Sequence, residues 1–311
     1  MNYAVTGGAG FIGSHLIDRL LELGHRVVCI DNLSSGKEEN IAHNFDNSCF
    51  KFYIRDIQDS LSDIFMKESL DGVFHLAAII SVQYSIQNPH ETHHVNVNGT
   101  INVLNTCVKH RVPRFIFSSS AAVYGHQDVE DMHEELDTNA LSPYALHKIV
   151  GEHYCKLYHM LYNMETICLR NFNVFGPRQD TLGGYAGVIP LWFRRIKNGR
   201  RCVINGDGQQ TRDYIYVKDS VNAFIAAAQT QHKECFGKVF NVGSGQHLSV
   251  QDLFAHIKNL TGIDHEPEYG PTVIEVRHSR SVIDRAKEHL NWSPQIPFEQ
   301  GLAEMYAHEM K

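Results

Sequence analysis

No stretch of this chain approaches the roughly 20 consecutive apolar residues needed to span a bilayer, so a membrane protein is not expected. No C-x-x-C pattern occurs among the seven cysteines, at 29, 49, 107, 155, 168, 202 and 235, and an odd number cannot all pair. Most sit in apolar runs, where a free thiol packs as a small hydrophobe, and a reducing, cytoplasmic setting is expected. No H-E-x-x-H or similar ligand spacing organises the 20 histidines. His93-His94 reads as a solvated helix face, and no metal site is expected. A positive excess is missing too: 28 basic against 35 acidic residues give a net charge of −7. That argues against a general nucleic-acid or membrane surface but leaves room for a local basic pocket that takes an anionic substrate. Internal repeats and low-complexity segments are absent, and no targeting segment is expected, since residue 1 leads straight into an apolar run.

What is present begins with bulk: 311 residues, 43% apolar and 20% charged, enough for a substantial core in one large or two intimate domains. The first 31 residues organise the rest. Tyr3-Ala4-Val5 is a short apolar run that stops at Thr6-Gly7-Gly8-Ala9-Gly10-Phe11-Ile12-Gly13. Leu16, Ile17, Leu20 and Leu21 then recur at helical spacing until Gly24, and Val27-Val28-Cys29-Ile30 leads to Asp31. Strand, glycine turn, helix, strand and acid in that order predict a dinucleotide site of the Rossmann type. Gly7 permits the tight turn, and Gly10 lets the backbone approach a pyrophosphate. That group would rest on the helix N-terminus at Phe11 and Ile12. Gly13 lets helix and strand lie close. Asp31 can take both ribose hydroxyls of an adenosine and would repel a 2′-phosphate, which favours NAD over NADP.

Further strands are predicted at 50–54, 73–76, 115–117 and 166–169, with helices from about 91 to 110 and from 144 to 161. The alternation predicts an α/β fold with a doubly wound parallel sheet. Asp56 and Ile57 follow the third strand, where adenine would lie; Asp56 reads equally well as the N-cap of the next helix. Leu76-Ala77-Ala78 is a small-residue exit that lets backbone approach a ligand. Past Asn173, Gly and Pro punctuate a loop from Gly176 to Gly187 and the elements become shorter and mixed. The expected division is a dinucleotide-binding domain over 1–173 and a smaller mixed α/β substrate domain over 174–311. The apolar run near 238–243 reads as a strand expected to rejoin the main sheet.

Tyr144 and Lys148, one turn apart before an apolar helix, share one face. An ammonium beside a phenol favours the phenolate, which makes a base for a sugar or alcohol hydroxyl. Among 13 tyrosines a Tyr-x-x-x-Lys pair also arises by chance, with surface packing as its plain meaning. The serine cluster 118–120 at the end of the preceding strand strengthens the chemical reading, since one hydroxyl there can bond the reacting oxygen; a helix cap is its plain alternative.

Phe117-Ser118-Ser119-Ser120-Ala121-Ala122-Val123-Tyr124-Gly125 and Ser142-Pro143-Tyr144-Ala145-Leu146-His147-Lys148 resemble the NAD-dependent epimerase/dehydratase family of extended short-chain dehydrogenases/reductases. The likeness covers nearly the whole chain and is strongest to members that epimerise C4 of UDP-glucose or UDP-N-acetylglucosamine. It implies Ser120 as catalytic serine, Tyr144 as base and Lys148 as its partner, with Ser118 and Ser119 toward the cofactor. Asn32 and Leu76 join the implied NAD-binding set, which also takes in Tyr144 and Lys148. On the substrate side the resemblance implies Ser81, Val82, Asn173, Val188, Asn205 and Arg212, besides Ser120 and Tyr144. Arg212 is suited to a diphosphate by its planar fork; an ion pair with Asp213 or Asp219 is its alternative.

Several positions depart from the family pattern. The dehydratases carry Asp-Glu after the serine or threonine and the decarboxylases carry Glu, where this chain has Ala121-Ala122. The family's diphosphate-binding arginine is Thr272 here, and Arg277 is the candidate to replace its charge. Ser281-Val282 stands where relatives have Ala-Asp, Ile80 where they often have a polar residue, and Ser279 at a position whose size bears on a 2-N-acetyl group. The implied substrate is a nucleotide-diphosphate sugar, with UDP-hexose favoured, and the implied assembly is a homodimer through the helices near 91–110 and 144–161. Within this frame a uronic acid epimerase, a reductase or a non-catalytic NAD-binding regulator remain alternatives.

Overall fold

Seven parallel strands form the centre of a computed structural model that describes residues 1–180, 187–272 and 276–310. In spatial order they are Phe50–Ile54, Arg26–Asp31, Asn2–Thr6, Gly72–His75, Arg114–Ser120, Glu165–Asn171 and Lys238–Val242. Helices cover both faces, so the inner strands read as almost unbroken apolar runs rather than alternating ones. One face is packed by Phe11–Glu22 and Val217–Gln229, the other by Ser62–Glu68, Thr100–Lys109 and Pro143–Tyr162. The apolar run near 238–243 does join this sheet, pairing Lys238–Val242 in parallel with Glu165–Asn171.

Strand order reverses at Asn2–Thr6, which pairs with Arg26–Asp31 on one side and Gly72–His75 on the other. Chain leaving the first strand turns one way and chain leaving the fourth the other, and the crevice between them is where doubly wound sheets bind ligands.

Two elements are longer or more complex than their sequence suggests. The serine strand runs through to Ser120, because Ser118, Ser119 and Ser120 pair with Leu169, Arg170 and Asn171. The helical segment expected from about 91 comprises Pro89–His93, a π-helical turn over His94–Gly99, and Thr100–Lys109. Within that turn the Asn96 side-chain amide donates to the Ile79 carbonyl (2.8 Å) and accepts from the Ile79 N–H (2.7 Å), which ties the helix to the fourth strand's exit.

Beyond residue 172 short strands pair locally: Asn173–Phe175 with Tyr214–Tyr216, Val203–Asn205 with Glu268–Gly270, and Thr211–Arg212 with Leu248–Ser249. The helices Val188–Lys197, Val250–Thr261 and Phe298–Glu309 pack around them through Trp192, Phe254 and Met305. Their apolar side chains are continuous with one face of the main sheet, so a single core serves both parts. The expected loop from Gly176 to Gly187 falls partly outside the described residues, as does the 272–279 segment at 273–275.

Candidate active site

Because all seven strands are parallel, Gly7, Asp31, Asp56, Ala77, Ser120 and Asn171 come to one edge of the sheet. The glycine turn there has no room for side chains. A Cβ on Gly7, whose φ is +70°, would lie 2.7 Å from the Ala77 nitrogen. A Cβ on Gly13 would lie 2.2 Å from the Gly7 carbonyl oxygen, and one on Gly10 3.1 Å from the same atom. The Phe11–Glu22 helix therefore starts hard against the turn, and its first intrahelical bond is from Ser14 N–H to the Gly10 carbonyl. The N–H groups of Phe11, Ile12 and Gly13 precede that bond and are open to an anion.

Asp31 does more than await a ribose. Its buried carboxylate accepts from Ala9 N–H (2.9 Å) and Leu33 N–H (2.8 Å), clasping the glycine turn to the second strand. Burial raises its pKa, against those two bonds, which lower it. Asn32 donates to Asp56 (2.7 Å), and Asp56 in turn accepts from Gln58 N–H (2.8 Å). Asp56 is therefore not a helix cap: the next helix starts only at Ser62 with Leu61 before it, and Asp56 forms a local turn at the rim of the crevice. Ile57 is buried beneath it, and its carbonyl accepts from Asn102 (2.6 Å). Leu76, Ala77 and Ala78 line the other lip, half-buried. A cradle that a Cβ would fill, facing a helix N-terminus with an acid at the next strand end, fits a dinucleotide.

Tyr144, Ser120 and Lys148 meet at the same edge. Ser142 caps the Pro143–Tyr162 helix by accepting from Ala145 N–H (3.2 Å), and Pro143 occupies its first turn, so Tyr144 emerges at a rigid helix start. Lys148 lies one turn on, its Nζ 5.8 Å from the Tyr144 ring centroid and 2.6 Å from the Ser118 carbonyl oxygen, to which it donates. Ser120 does cap a short turn, accepting from Ala122 N–H (3.2 Å), and it also stands beside the Tyr144 phenol. The electrostatics differ from the simple expectation that lysine would bring the phenol down. Burial raises the Tyr144 pKa, and the neighbour that opposes the rise is Ser120. Burial also lowers Lys148, to about 8, against the nearby Glu152 carboxylate. Desolvation outweighs the opposing effect of the neighbours at both sites: Ser120 at the phenol, Glu152 and the two thiols Cys155 and Cys168 at the ammonium.

A pocket of about 300 Å³ brings together Asn173, Val188, Asn205, Arg212, Gln179 and Tyr214. Asn173 is held there by donating from its side chain to the Asp213 carbonyl (2.9 Å). The two carboxylates considered as partners for Arg212 have other work. That of Asp213 accepts from Ser244, Gly245 and Ser281, and that of Asp219 from Ile296 N–H (2.9 Å). Arg277 does not line this pocket. Its carbonyl accepts from Thr211 N–H (3.0 Å), but its guanidinium makes a two-pronged pair with Asp207 (2.9 and 2.7 Å) on the exposed side. The charge offered in place of an arginine at Thr272 is thus paired with Asp207 in this structure. Ser81 is buried and caps the Val82–Gln87 helix by accepting from Tyr84 N–H (2.9 Å), while Val82 and Ile80 are exposed.

The structural work of three residues is not visible in the sequence. Ser85 accepts from Tyr144 N–H (3.1 Å) and so fixes the start of the Tyr144 helix. Gly151 lets that helix settle on Phe117 of the serine strand, since a Cβ there would lie 2.4 Å from the ring. Ser281, at a departure from the family pattern, gains a reason: its hydroxyl donates to the buried Asp213 carboxylate (2.5 Å). None has a local signal, because each partner is distant in sequence.

Residues 3–243 match the model of the NAD dependent epimerase/dehydratase family. The chain is 40% identical over 307 residues to a UDP-glucose 4-epimerase of Mycolicibacterium smegmatis, with 97% of this chain and 96% of that protein covered. The solved UDP-glucose 4-epimerase of Thermotoga maritima, in complex with UDP-glucose, superimposes with a TM-score of 0.93 at 39% identity, covering 99% of this chain and 98% of that one. A UDP-N-acetylglucosamine 4-epimerase from Methanobrevibacter ruminantium gives a TM-score of 0.93 at 36% identity, with 99% and 97% covered. The chain belongs to the NAD-dependent epimerase/dehydratase family.

Proposed function

We propose that this protein interconverts the C4 epimers of a nucleotide-diphosphate hexose, UDP-glucose and UDP-galactose or their N-acetyl forms, through a transient 4-keto sugar. The carrying observation is the meeting of Ser120, Tyr144 and Lys148 beside the glycine cradle, with Ala121-Ala122 following the serine. NAD, when bound, supplies reversible hydride transfer at C4. The turn from Gly7 to Gly13 would hold its pyrophosphate, Asp31 the adenosine ribose, and Lys148 with Ala77 and Ala78 the nicotinamide end.

In this reading Tyr144 takes the proton of the 4-hydroxyl and later returns it. Ser120 bonds the same oxygen while its charge changes, and Lys148 keeps a positive charge near the phenol. Chemistry at C5 would need a further acid or base, and Ala121-Ala122 offer none at the usual place. Arg212 and Asn173 would take the diphosphate in the 300 Å³ pocket. The exposed apolar residues Leu146, Leu157, Met160 and Leu161 of the Tyr144 helix accord with a homodimer, which sedimentation would test.

Proton NMR of the purified protein with UDP-glucose, UDP-N-acetylglucosamine and UDP-glucuronate tests the reaction and the sugar together. The expected result is growth of the epimer's anomeric signal with no net change in NAD. Net NAD(H) consumption would identify a reductase, and bound NAD without turnover on any sugar a regulator. Tyr144→Phe should lose at least about 100-fold in turnover while still binding NAD. Near-normal turnover would rule out the mechanism.

A further inference from the structure

Glu152 lies one helical turn beyond Lys148 and two beyond Tyr144, buried, and no step above uses it. Its carboxylate accepts from Ser119 Oγ (2.5 Å) and from Arg170 Nε and Nη2 (2.9 and 2.7 Å). Arg170 is buried as well, on the strand next to the serine strand, where it pairs in register with Ser119. One carboxylate thus fastens the catalytic helix to two strands at the point where they present Ser118, Ser120 and Asn171.

It is the negative charge that offsets part of a buried positive excess. Lys148 and Arg170 are two buried cations, and Glu152 is the buried anion beside them. The other groups around Lys148 are thiols, rings and a phenol: Cys155, His147 and Tyr144 on its own helix, Cys168 on the Arg170 strand, and His75 and Phe117 on the two strands beneath. Tyr124 stacks on the Arg170 guanidinium at 4.7 Å. An arginine in such a site does not shed its proton, whereas a lysine does.

We propose that Glu152 is a positioning residue for the epimerisation: it is the buried counter-charge that keeps Lys148 an ammonium, and its bonds to Ser119 and Arg170 hold the serine strand where Ser120 meets Tyr144. The proposal rests on the role given to Lys148 above. Replacing Glu152 by glutamine leaves two cations in a dry site, and Lys148 then loses its proton at a lower pH. The substrate pocket draws on residues 173–250 and is not touched.

The test uses the NAD-loaded enzyme. Glu152→Gln should lower kcat at neutral pH about tenfold or more with KM within about twofold, and should move the alkaline limb of the kcat profile down by about one pH unit. Glu152→Asp, which keeps the charge, should return that limb toward wild type. A second readout needs no turnover: NMR titration of the lysine side chains, with Lys148 assigned by its loss in Lys148→Met, should show the same downward move of its midpoint in Glu152→Gln. A limb and a midpoint that both stay put would overturn the proposal, as would equal displacement in the Gln and Asp variants. If no nucleotide sugar is turned over but the Lys148 midpoint moves, the functional reading fails and the coupling stands. Should Glu152→Gln be insoluble, Arg170→Gln makes the opposite change, and its Lys148 midpoint should rise; an unmoved midpoint there refutes the coupling equally.

Discussion

Replacing Gly13 by alanine should separate cofactor seating from folding. The new Cβ would stand 2.2 Å from the Gly7 carbonyl oxygen, 2.9 Å from the Gly8 Cα and 3.0 Å from the Gly7 carbonyl carbon. Ordinary carbon–oxygen contacts begin near 3.3 Å, so the helix start must retreat by about 1 Å. All three obstacles are backbone, and Gly7 is itself hemmed in by Ala77, so no side-chain rotation relieves the clash. Overpacking of this kind costs about 1–3 kcal/mol, a fall in Tm of several degrees for a protein of this size. The effect on NAD should be larger. A pyrophosphate held by the first-turn N–H groups loses about two charge-assisted bonds when they withdraw, worth about 1.5–3 kcal/mol each, so affinity should fall at least about 100-fold. Gly24→Ala is the control: with φ at +77° and nothing within 4 Å, it carries left-handed strain of about 1–2 kcal/mol but no clash. NAD content per chain, titration calorimetry and thermal melts on both variants decide the matter. The reasoning fails if Gly13→Ala binds NAD within about fivefold of wild type, or if Gly24→Ala loses NAD equally.

Two further perturbations address other layers. His75 is fully buried between Thr6 Oγ1 (2.7 Å) and Thr100 Oγ1 (2.9 Å), and burial lowers its pKa to about 3. The folded form is therefore neutral. Its contribution is complete above the ordinary histidine value near 6.5 and is lost as pH falls toward 3, by about 1.4 kcal/mol per unit. In His75→Gln the loss of unfolding free energy between pH 7 and pH 5 should be smaller than in wild type by about 2 kcal/mol; equal losses in denaturant titrations would show that His75 protonates freely. The Asp213 carboxylate takes five bonds, from Ser244 N–H and Oγ, Gly245 N–H, and Ser281 N–H and Oγ. Asp213→Asn turns an amide toward donors, so it should cost about 2–4 kcal/mol and raise KM for the nucleotide sugar severalfold while NAD content holds; an unchanged KM would detach this hub from the pocket.

Much of the site was legible because its signals are local. Gly7, Gly10 and Gly13 sit within two turns of chain, and Tyr144 with Lys148 declare a shared face by spacing alone. Asn173, Val188, Asn205 and Arg212 were named separately and prove to line one pocket. What was illegible depends on depth or on distant partners. The phenol is raised rather than lowered, because burial at Tyr144 exceeds the help from its neighbours, and burial is not written in the motif. Asp56 looked like a cap because acids before helices often are, but the next helix begins six residues later. Arg277 was assigned by charge, and only the fold shows Asp207 across from it. Glu152 and Arg170, 18 residues apart, carry no joint signal in the sequence and meet only when helix and strand are brought together.

The seventh strand gives the sheet a schedule as well as an edge. On the ribosome, Glu165–Asn171 emerges with one side of its hydrogen-bonding groups paired to the serine strand and the other side bare. Another 66 residues, 172 to 237, must be made before Lys238–Val242 can cover it. At roughly 5–20 residues per second that leaves the edge open for about 3–13 s, long enough for contact with a neighbouring nascent chain. The same logic bears on dissection: a fragment ending at residue 173 would keep the whole glycine cradle and the Tyr144 helix yet carry a permanently sticky border. Its solubility, more than its ability to hold NAD, would decide whether it could be studied alone.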